Sequence, residues 1–182
     1  VLFRSLLAAW RHLRARGIDA GLLLVPRHAE RRDEIERLLV EAGVAGHFRS
    51  RGPAPAKVEV SVADTTGELR RLTQLADVVV VGKSFPPHTE GQTPVEAAAL
   101  EKPILFGPGM ANFRVIAEDL VARGAARRVT VAAGLSDELF ALLSDTGTRE
   151  SLARAAALWR RENAGATRRT LAVIRSELKA NG

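Results

Sequence analysis

Apolar and polar positions follow two alternating rhythms along the chain. A helical period covers about Leu6–Arg16 and stops at Gly17. Ala20–Pro26 is then apolar without interruption, as in a strand covered on both faces. Ala29–Gly43 returns to an amphipathic helix with Ile35, Leu38 and Leu39 inward and Gly43 as its stop. A weaker strand is expected at His47–Arg49, a loop at Gly52–Pro55, and an alternating strand at Lys57–Asp64. Asp64 or Thr65 is placed to cap a helix that turns Leu69, Leu72 and Leu75 inward. Asp77–Gly82 reads as the most buried strand and Lys102–Pro108 as the next. Between them, Thr93, Pro94 and Glu96 spell a capping box: N-cap, N1 and N3. Asn112 caps or opens a helix to about Arg123, ended by Gly124. Arg127–Ala132 reads as a short strand and Ser136–Leu143 as a helix. Thr148–Lys179 is a helical tract broken at Gly165. Strands alternating with helices predict an α/β fold: one Rossmann-like domain over residues 1–182, its parallel sheet covered by helices on both faces.

In such sheets ligands bind beyond the carboxyl ends of the strands, and this chain's unusual loops fall there. After Val81 come Gly82, Lys83 and Ser84, then a long loop to Gly91, Gln92 and Thr93. Gly82 permits close backbone approach, Lys83 offers a cation and Ser84 a hydroxyl. Glu96 has two readings. It closes the capping box, or it accepts hydrogen bonds from ligand hydroxyls such as those of a ribose. After the next strand, Gly107, Pro108 and Gly109 bend the chain and Asn112 presents an amide, as a plain strand-to-helix turn or as part of a cleft. Arg27, after Ala20–Pro26, is a solvated cation or a bidentate phosphate ligand. His28 reads as a surface residue. Gly67, in Asp64–Leu69, marks close packing or ligand approach.

Composition narrows the chemistry. The 182 residues are 46% hydrophobic, enough for one full core, and only 4% aromatic. No cysteine is present, which excludes disulfides and thiolate metal sites. Metal-site spacings, GxSxG, Walker A and GxGxxG are all missing. The net charge of +6, from 27 Lys+Arg against 21 Asp+Glu, suits a phosphate-bearing ligand or an anionic membrane face as well as a plain basic surface. The basic residues are dispersed and no Arg/aromatic platform accompanies them, so nucleic acid is not the expected partner. No apolar stretch approaches the ~20 residues of a membrane span, and no signal peptide is legible. The chain opens without Met directly into a helical pattern and reads as a fragment truncated at its N-terminus. Val1–Ser5 matches the translated end of a sequencing adapter and is expected to be a library artefact.

The order of these motifs carries a resemblance. Leu24–Leu39, Asp64–Leu69 and Ala76–Phe113 resemble the C-terminal half of the 3-deoxy-D-manno-octulosonic acid (Kdo) transferases, a likeness that extends over about Leu6–Leu178. The resemblance implies a GT-B glycosyltransferase of two Rossmann-like domains. The C-terminal one binds the donor, CMP-Kdo. The N-terminal one carries the acceptor site and the acidic base. Transfer inverts the anomeric carbon without a bound metal or other cofactor, and the acceptor is a lipid A precursor. Localisation at the cytoplasmic face of the inner membrane is implied, peripheral or anchored through the N-terminal part. By position, Arg27 would meet the donor phosphate, Gly82 and Ser84 match a Gly-Gly-Ser turn, and Gly91, Gln92 and Thr93 match a Gly-His-Asn stretch. Glu96 would hold the CMP ribose, and Gly107, Pro108, Asn112 and Phe113 would line the cleft. Three positions depart from the pattern: Lys83 replaces the second Gly, Gln92-Thr93 replaces His-Asn, and Ala97 replaces a Pro that often follows the Glu. The donor is the property these departures bear on. A GT-B transferase using a UDP- or GDP-sugar, or a non-catalytic Rossmann-like binding domain, are the competing readings. No catalytic residue is assigned to this chain.

Overall fold

The computed structural model describes residues 2–54 and 57–180. All strand pairs in it are parallel. Strands β1 (Leu22–Leu24), β2 (Gly46–Phe48) and β3 (Val60–Val62) form one three-stranded sheet in the order β1-β3-β2. Strands β4 (Val79–Val80), β5 (Ile104–Phe106) and β6 (Ala126–Arg128) form a second, in sequential order. Leu22 registers with Val60, Gly46 with Val60, Val79 with Ile104, and Ile104 with Ala126. The alternation of strand and helix therefore produces the expected parallel α/β architecture. The expected single sheet is divided, because no ladder joins β1 to β4 among the described residues.

Helix α1 (Leu2–Ala15) spans that division. Leu7 and Trp10 pack with Leu24, Ile35, Phe48, Val60 and Val62 around the first sheet. Ala9 and Leu13 pack with Phe85, Leu105, Leu135 and Leu142 around the second, and Leu6 touches both clusters. Two adjacent faces of one helix thus enter two cores. Trp10 also donates its indole N–H to the Ala20 carbonyl at 2.8 Å, fixing the turn that leads into β1. The helix begins earlier than its sequence period suggests. Leu2 and Phe3, in the stretch expected to be an artefact, pack against the two clusters, while Val1 lies outside the described residues.

The remaining helices are α2 (Arg32–Glu41), α3 (Leu69–Thr73), α4 (Val95–Ala99), α5 (Arg114–Ala122), α6 (Leu135–Ser144), α7 (Thr146–Asn163) and α8 (Ala166–Ala180). Helix α2 buries Ile35 and Leu39, with Leu38 half-buried. A Cβ on Gly46 would stand 2.5 Å from the Leu39 side chain, so glycine there lets α2 lie against β2. The expectation for α3 fails. It is five residues long, too short for an apolar face, and leaves Leu69 and Leu75 exposed with Leu72 half-buried. Asp64 does not cap it. Its buried carboxylate instead accepts from the Ser50 N–H and hydroxyl and from Arg32, tying the ends of β2 and β3 to the start of α2. Strand β6 sits one residue earlier and is shorter than expected, since Val131 and Ala132 turn away into α6. Helices α6 to α8 follow the sequence reading, with the break at Gly165, whose φ is 81°. Helix α7 returns Ala156 and Trp159 to the core beneath β5.

Replacing Trp10 removes a ring that fills the first core and a hydrogen bond that sets β1. Trp10→Ala is expected to lower the unfolding free energy by about 3–5 kcal/mol, read as a lower urea midpoint. A loss under about 1 kcal/mol would show that α1 is dispensable to the fold.

Candidate donor site

Two loops meet at the carboxyl ends of β4 and β5, and one buried side chain stitches them together. Ser84 is fully buried. Its hydroxyl donates to the Val81 carbonyl at 2.7 Å and accepts from the Gly107 N–H at 2.9 Å, while its own carbonyl accepts from the Gly109 N–H at 2.9 Å. Further along, the Ala111 and Asn112 N–H groups donate to the Thr89 and Glu90 carbonyls. At its neck the first loop closes on itself, with Gly91 N–H on the Lys83 carbonyl and Gln92 N–H on the Gly82 carbonyl. This approach leaves no room for side chains. A Cβ on Gly107 would overlap the Ser84 carbonyl oxygen, and one on Gly109 would stand 2.6 Å from the Thr89 Cα. Gly91, at φ 68°, would meet the Met110 sulfur at 2.7 Å. Gly82 differs: a Cβ there meets nothing closer than 3.8 Å.

The residues proposed from sequence divide into two groups. Ser84, Gly91, Gly107 and the Thr93 hydroxyl are engaged within the protein. The Thr93 Oγ accepts from the Val95 N–H at 3.3 Å. Phe113 is half-buried against the core around Ile104 and Phe106. Lys83 is paired with Glu90 at 3.3 Å. Pro108 is exposed between the two buried glycines. The second group has no side-chain partner among the described residues: Arg27, Gln92, Glu96 and Asn112. For Glu96 this corrects the capping-box reading. Neither half of the box forms: the Thr93 hydroxyl accepts from the Val95 N–H rather than from that of Glu96, and the Glu96 carboxylate does not return to the Thr93 N–H and stands half-buried and unengaged. Asn112 is likewise not a helix cap. A 3-10 turn at Ala111–Phe113 precedes α5, and the Asn112 side chain is exposed.

Arg27 follows β1, in the other sheet, and α1 touches the segments that follow both β1 and β4. The Leu2 side chain lies beside Gly82 after β4, and the next residue, Phe3, carries the Arg31 guanidinium 4.8 Å above its ring after β1. The end of α1 therefore gathers both loops, and Arg27 leads into the 3-10 turn that ends at Arg31. His28 is exposed and caps nothing.

Glu90 was not anticipated as a site residue. One of its oxygens receives Lys83 Nζ at 3.3 Å, with His88 Nδ1 3.2 Å away, and the other accepts from the Thr89 N–H at 3.0 Å. Its own backbone N–H, then Thr89, Lys83 and His88, hold its carboxyl down at about 2, against a smaller opposing effect of desolvation. The available signal was charge alternation, Lys83 against Glu90 across a loop with Pro-Pro at its tip. Two shallow depressions lie elsewhere, one along α2 at Asp33–Glu41 and one at Arg49, Gly52, Pro53, Thr65 and Glu68. The described residues contain no cluster of three or more His, Asp or Glu able to hold a metal, and no helix long and apolar enough to cross a membrane.

No protein-family model matches the chain. It is 40% identical over 153 residues to a 3-deoxy-D-manno-octulosonic acid transferase of Bordetella pertussis, covering 82% of this chain and 35% of that protein. It is 32% identical over 178 residues to the transferase of the same name from Haemophilus influenzae, covering 97% of this chain and 42% of that protein. Among solved structures it is similar to the C-terminal CMP-Kdo binding domain of WaaA from Acinetobacter baumannii, with a TM-score of 0.79 and 27% identity over 86% of this chain and 81% of that one. Over these residues the chain belongs with the Kdo transferases. It spans roughly two fifths or less of the length of these two curated relatives.

Gly91, Gly107 and Gly109 stand where a Cβ has no room, and Gly82 stands where it has. Gly107→Ala is expected to destabilise the fold by about 1–3 kcal/mol or more, whereas Gly82→Ala should stay within about 0.5 kcal/mol of the parent, both measured by urea denaturation. Equal losses would remove the distinction between packed and open glycines. Glu90 gives a pH signature. Its carboxyl is depressed, so its bonds are present above the ordinary 4.5 and are lost as pH falls toward about 2. Protection of the Thr89 amide, its exchange relative to the intrinsic rate at each pH, should therefore fall through that window, and Glu90→Gln should abolish the step. A step that persists in Glu90→Gln would assign it to another group.

Proposed function

We propose that this chain is the donor-binding half of an inverting glycosyltransferase that moves Kdo from CMP-Kdo to a lipid A precursor. The observation that carries this reading is the set of unengaged polar side chains Arg27, Gln92, Glu96 and Asn112 on the segments that follow β1, β4 and β5. Polar groups without protein partners at the ends of strands are available to meet a ligand. Arg27 supplies a bidentate cation for the donor phosphate. Glu96 accepts from the ribose hydroxyls, and the Gln92 and Asn112 amides serve as donors and acceptors around the nucleotide. Ser84, Gly91 and Gly107 act by fixing the distance between the loops, with Gly82, Pro108 and Phe113 shaping the surface. Helix α4 is five residues long, so charge recognition rests on side chains rather than on a helix dipole.

The similarity to a CMP-Kdo binding domain supports the choice of donor. The general base and the acceptor site are assigned to the rest of the protein. An acidic membrane face, at the cytoplasmic side of the inner membrane, suits a chain of net charge +6.

Calorimetry with CMP, UMP and GMP tests the reading. CMP should bind in preference to the other two. Arg27→Ala and Glu96→Gln should each weaken CMP binding by about 1.5–3 kcal/mol, roughly ten- to a hundredfold. Thermal stability should not change in Glu96→Gln, since the carboxylate holds nothing in the protein. Preference for UMP or GMP would point to another sugar nucleotide, and undiminished CMP binding by both variants would remove the site.

A further inference from the structure

Lys83 stands in left-handed backbone, with φ of 54°. A side chain is strained there and glycine is not. Glycine in its place would relieve that strain. Strained residues persist where the surroundings hold them, and they gather at ligand sites.

Nothing in the fold requires the ammonium. The neck of the loop is closed by backbone bonds, Gly91 N–H to Lys83 carbonyl and Gln92 N–H to Gly82 carbonyl. The partner of Lys83 Nζ is Glu90 Oε1 at 3.3 Å, with the two side chains 39% and 35% exposed. That is longer than a well-formed charge-assisted bond, and a pair so exposed contributes little to stability. Glu90 is anchored independently through the Thr89 N–H. Lys83 therefore holds a replaceable anion at the end of β4, across the loop neck from the free Gln92 amide.

We propose that Lys83 is a specificity-determining cation that selects ligands bearing an anionic group beyond the nucleoside, and that the Glu90 carboxylate is a placeholder which this group displaces. The phosphate of a nucleotide is the probe chemistry. The proposal rests on the donor-site reading for the location of the ligand, but not for the identity of its base.

The test is binding of CMP, UMP and cytidine to the parent chain, Lys83→Gly, Lys83→Gln and Glu90→Gln, with melting temperatures alongside. Both Lys83 variants should lose about tenfold in CMP affinity and leave cytidine binding unchanged. Lys83→Gly should also melt higher, because relieving the backbone stabilises the free protein. Glu90→Gln should bind CMP about threefold more tightly, a gain of the size expected for releasing one exposed ion pair, with no change for cytidine. Equal losses for CMP and cytidine, a lower melting temperature in Lys83→Gly, or weaker CMP binding in Glu90→Gln would each overturn the assignment. Equal binding of UMP and CMP with these Lys83 effects on both would support the assignment while removing the cytosine preference of the donor reading. Absence of binding by either nucleotide to all four proteins would overturn both.

Discussion

The hydroxyl of Ser84 sets the geometry on which the candidate site depends. It donates to one loop's strand and accepts from the other loop's first residue, so β4 and β5 end at a fixed separation. Both bonds are buried, and a buried hydroxyl left without partners would be costly, which makes the arrangement self-enforcing. The glycines follow from it. Once the loops are held this close, the Gly107 and Gly109 positions have no space for a Cβ. A serine and two glycines thereby define a rigid floor, and the groups around it are free to serve a ligand.

That division organises the chemistry. Groups with partners build the site and groups without partners face outward. Glu96 belongs to the second kind because α4 begins at Pro94 with no side-chain cap and the carboxylate takes no part in its first turn. Arg27 belongs to it because the neighbouring cations are already engaged, Arg31 by Glu34 and the Phe3 ring, and Arg32 by Asp64. Helix α1 has a part in function through packing alone. It enters both cores, and its first turn lies between the loop after β1 and the loop after β4. The candidate site would thus draw on two sheets that do not pair with each other among the described residues.

Much of this was legible in the chain. Continuous apolar runs marked β1, β4 and β5, because strands covered on both faces need no alternation. Gly17, Gly43, Gly124 and Gly165 marked real helix ends, each with a positive φ. The loops after β4 and β5 stood out because Pro-Pro and Gly-Pro-Gly have no place in a helix or a ladder. What could not be read were outcomes of competition. Asp64 is a good cap by type, but Ser50 and Arg32 engage it first. Glu96 completes a capping box in sequence, and the backbone places it otherwise. Leu69, Leu72 and Leu75 have helical spacing, yet Gly67 takes φ 81° and delays the helix until only one short turn remains. Ser84 was legible as a hydroxyl in a loop at a strand end, whereas its burial depends on a contact across 23 residues.

The central claim is that the unengaged groups at the ends of β1, β4 and β5 converge on one nucleotide. Nitrogen–proton correlation spectra of the labelled chain, recorded as CMP is added, test it most directly. The account predicts saturable shifts at the backbone of Arg27 and Glu96 and at the side-chain amides of Gln92 and Asn112, with a single binding curve for all four. Shifts confined to the depression at Arg49, Thr65 and Glu68, or to the surface of α2, would contradict it.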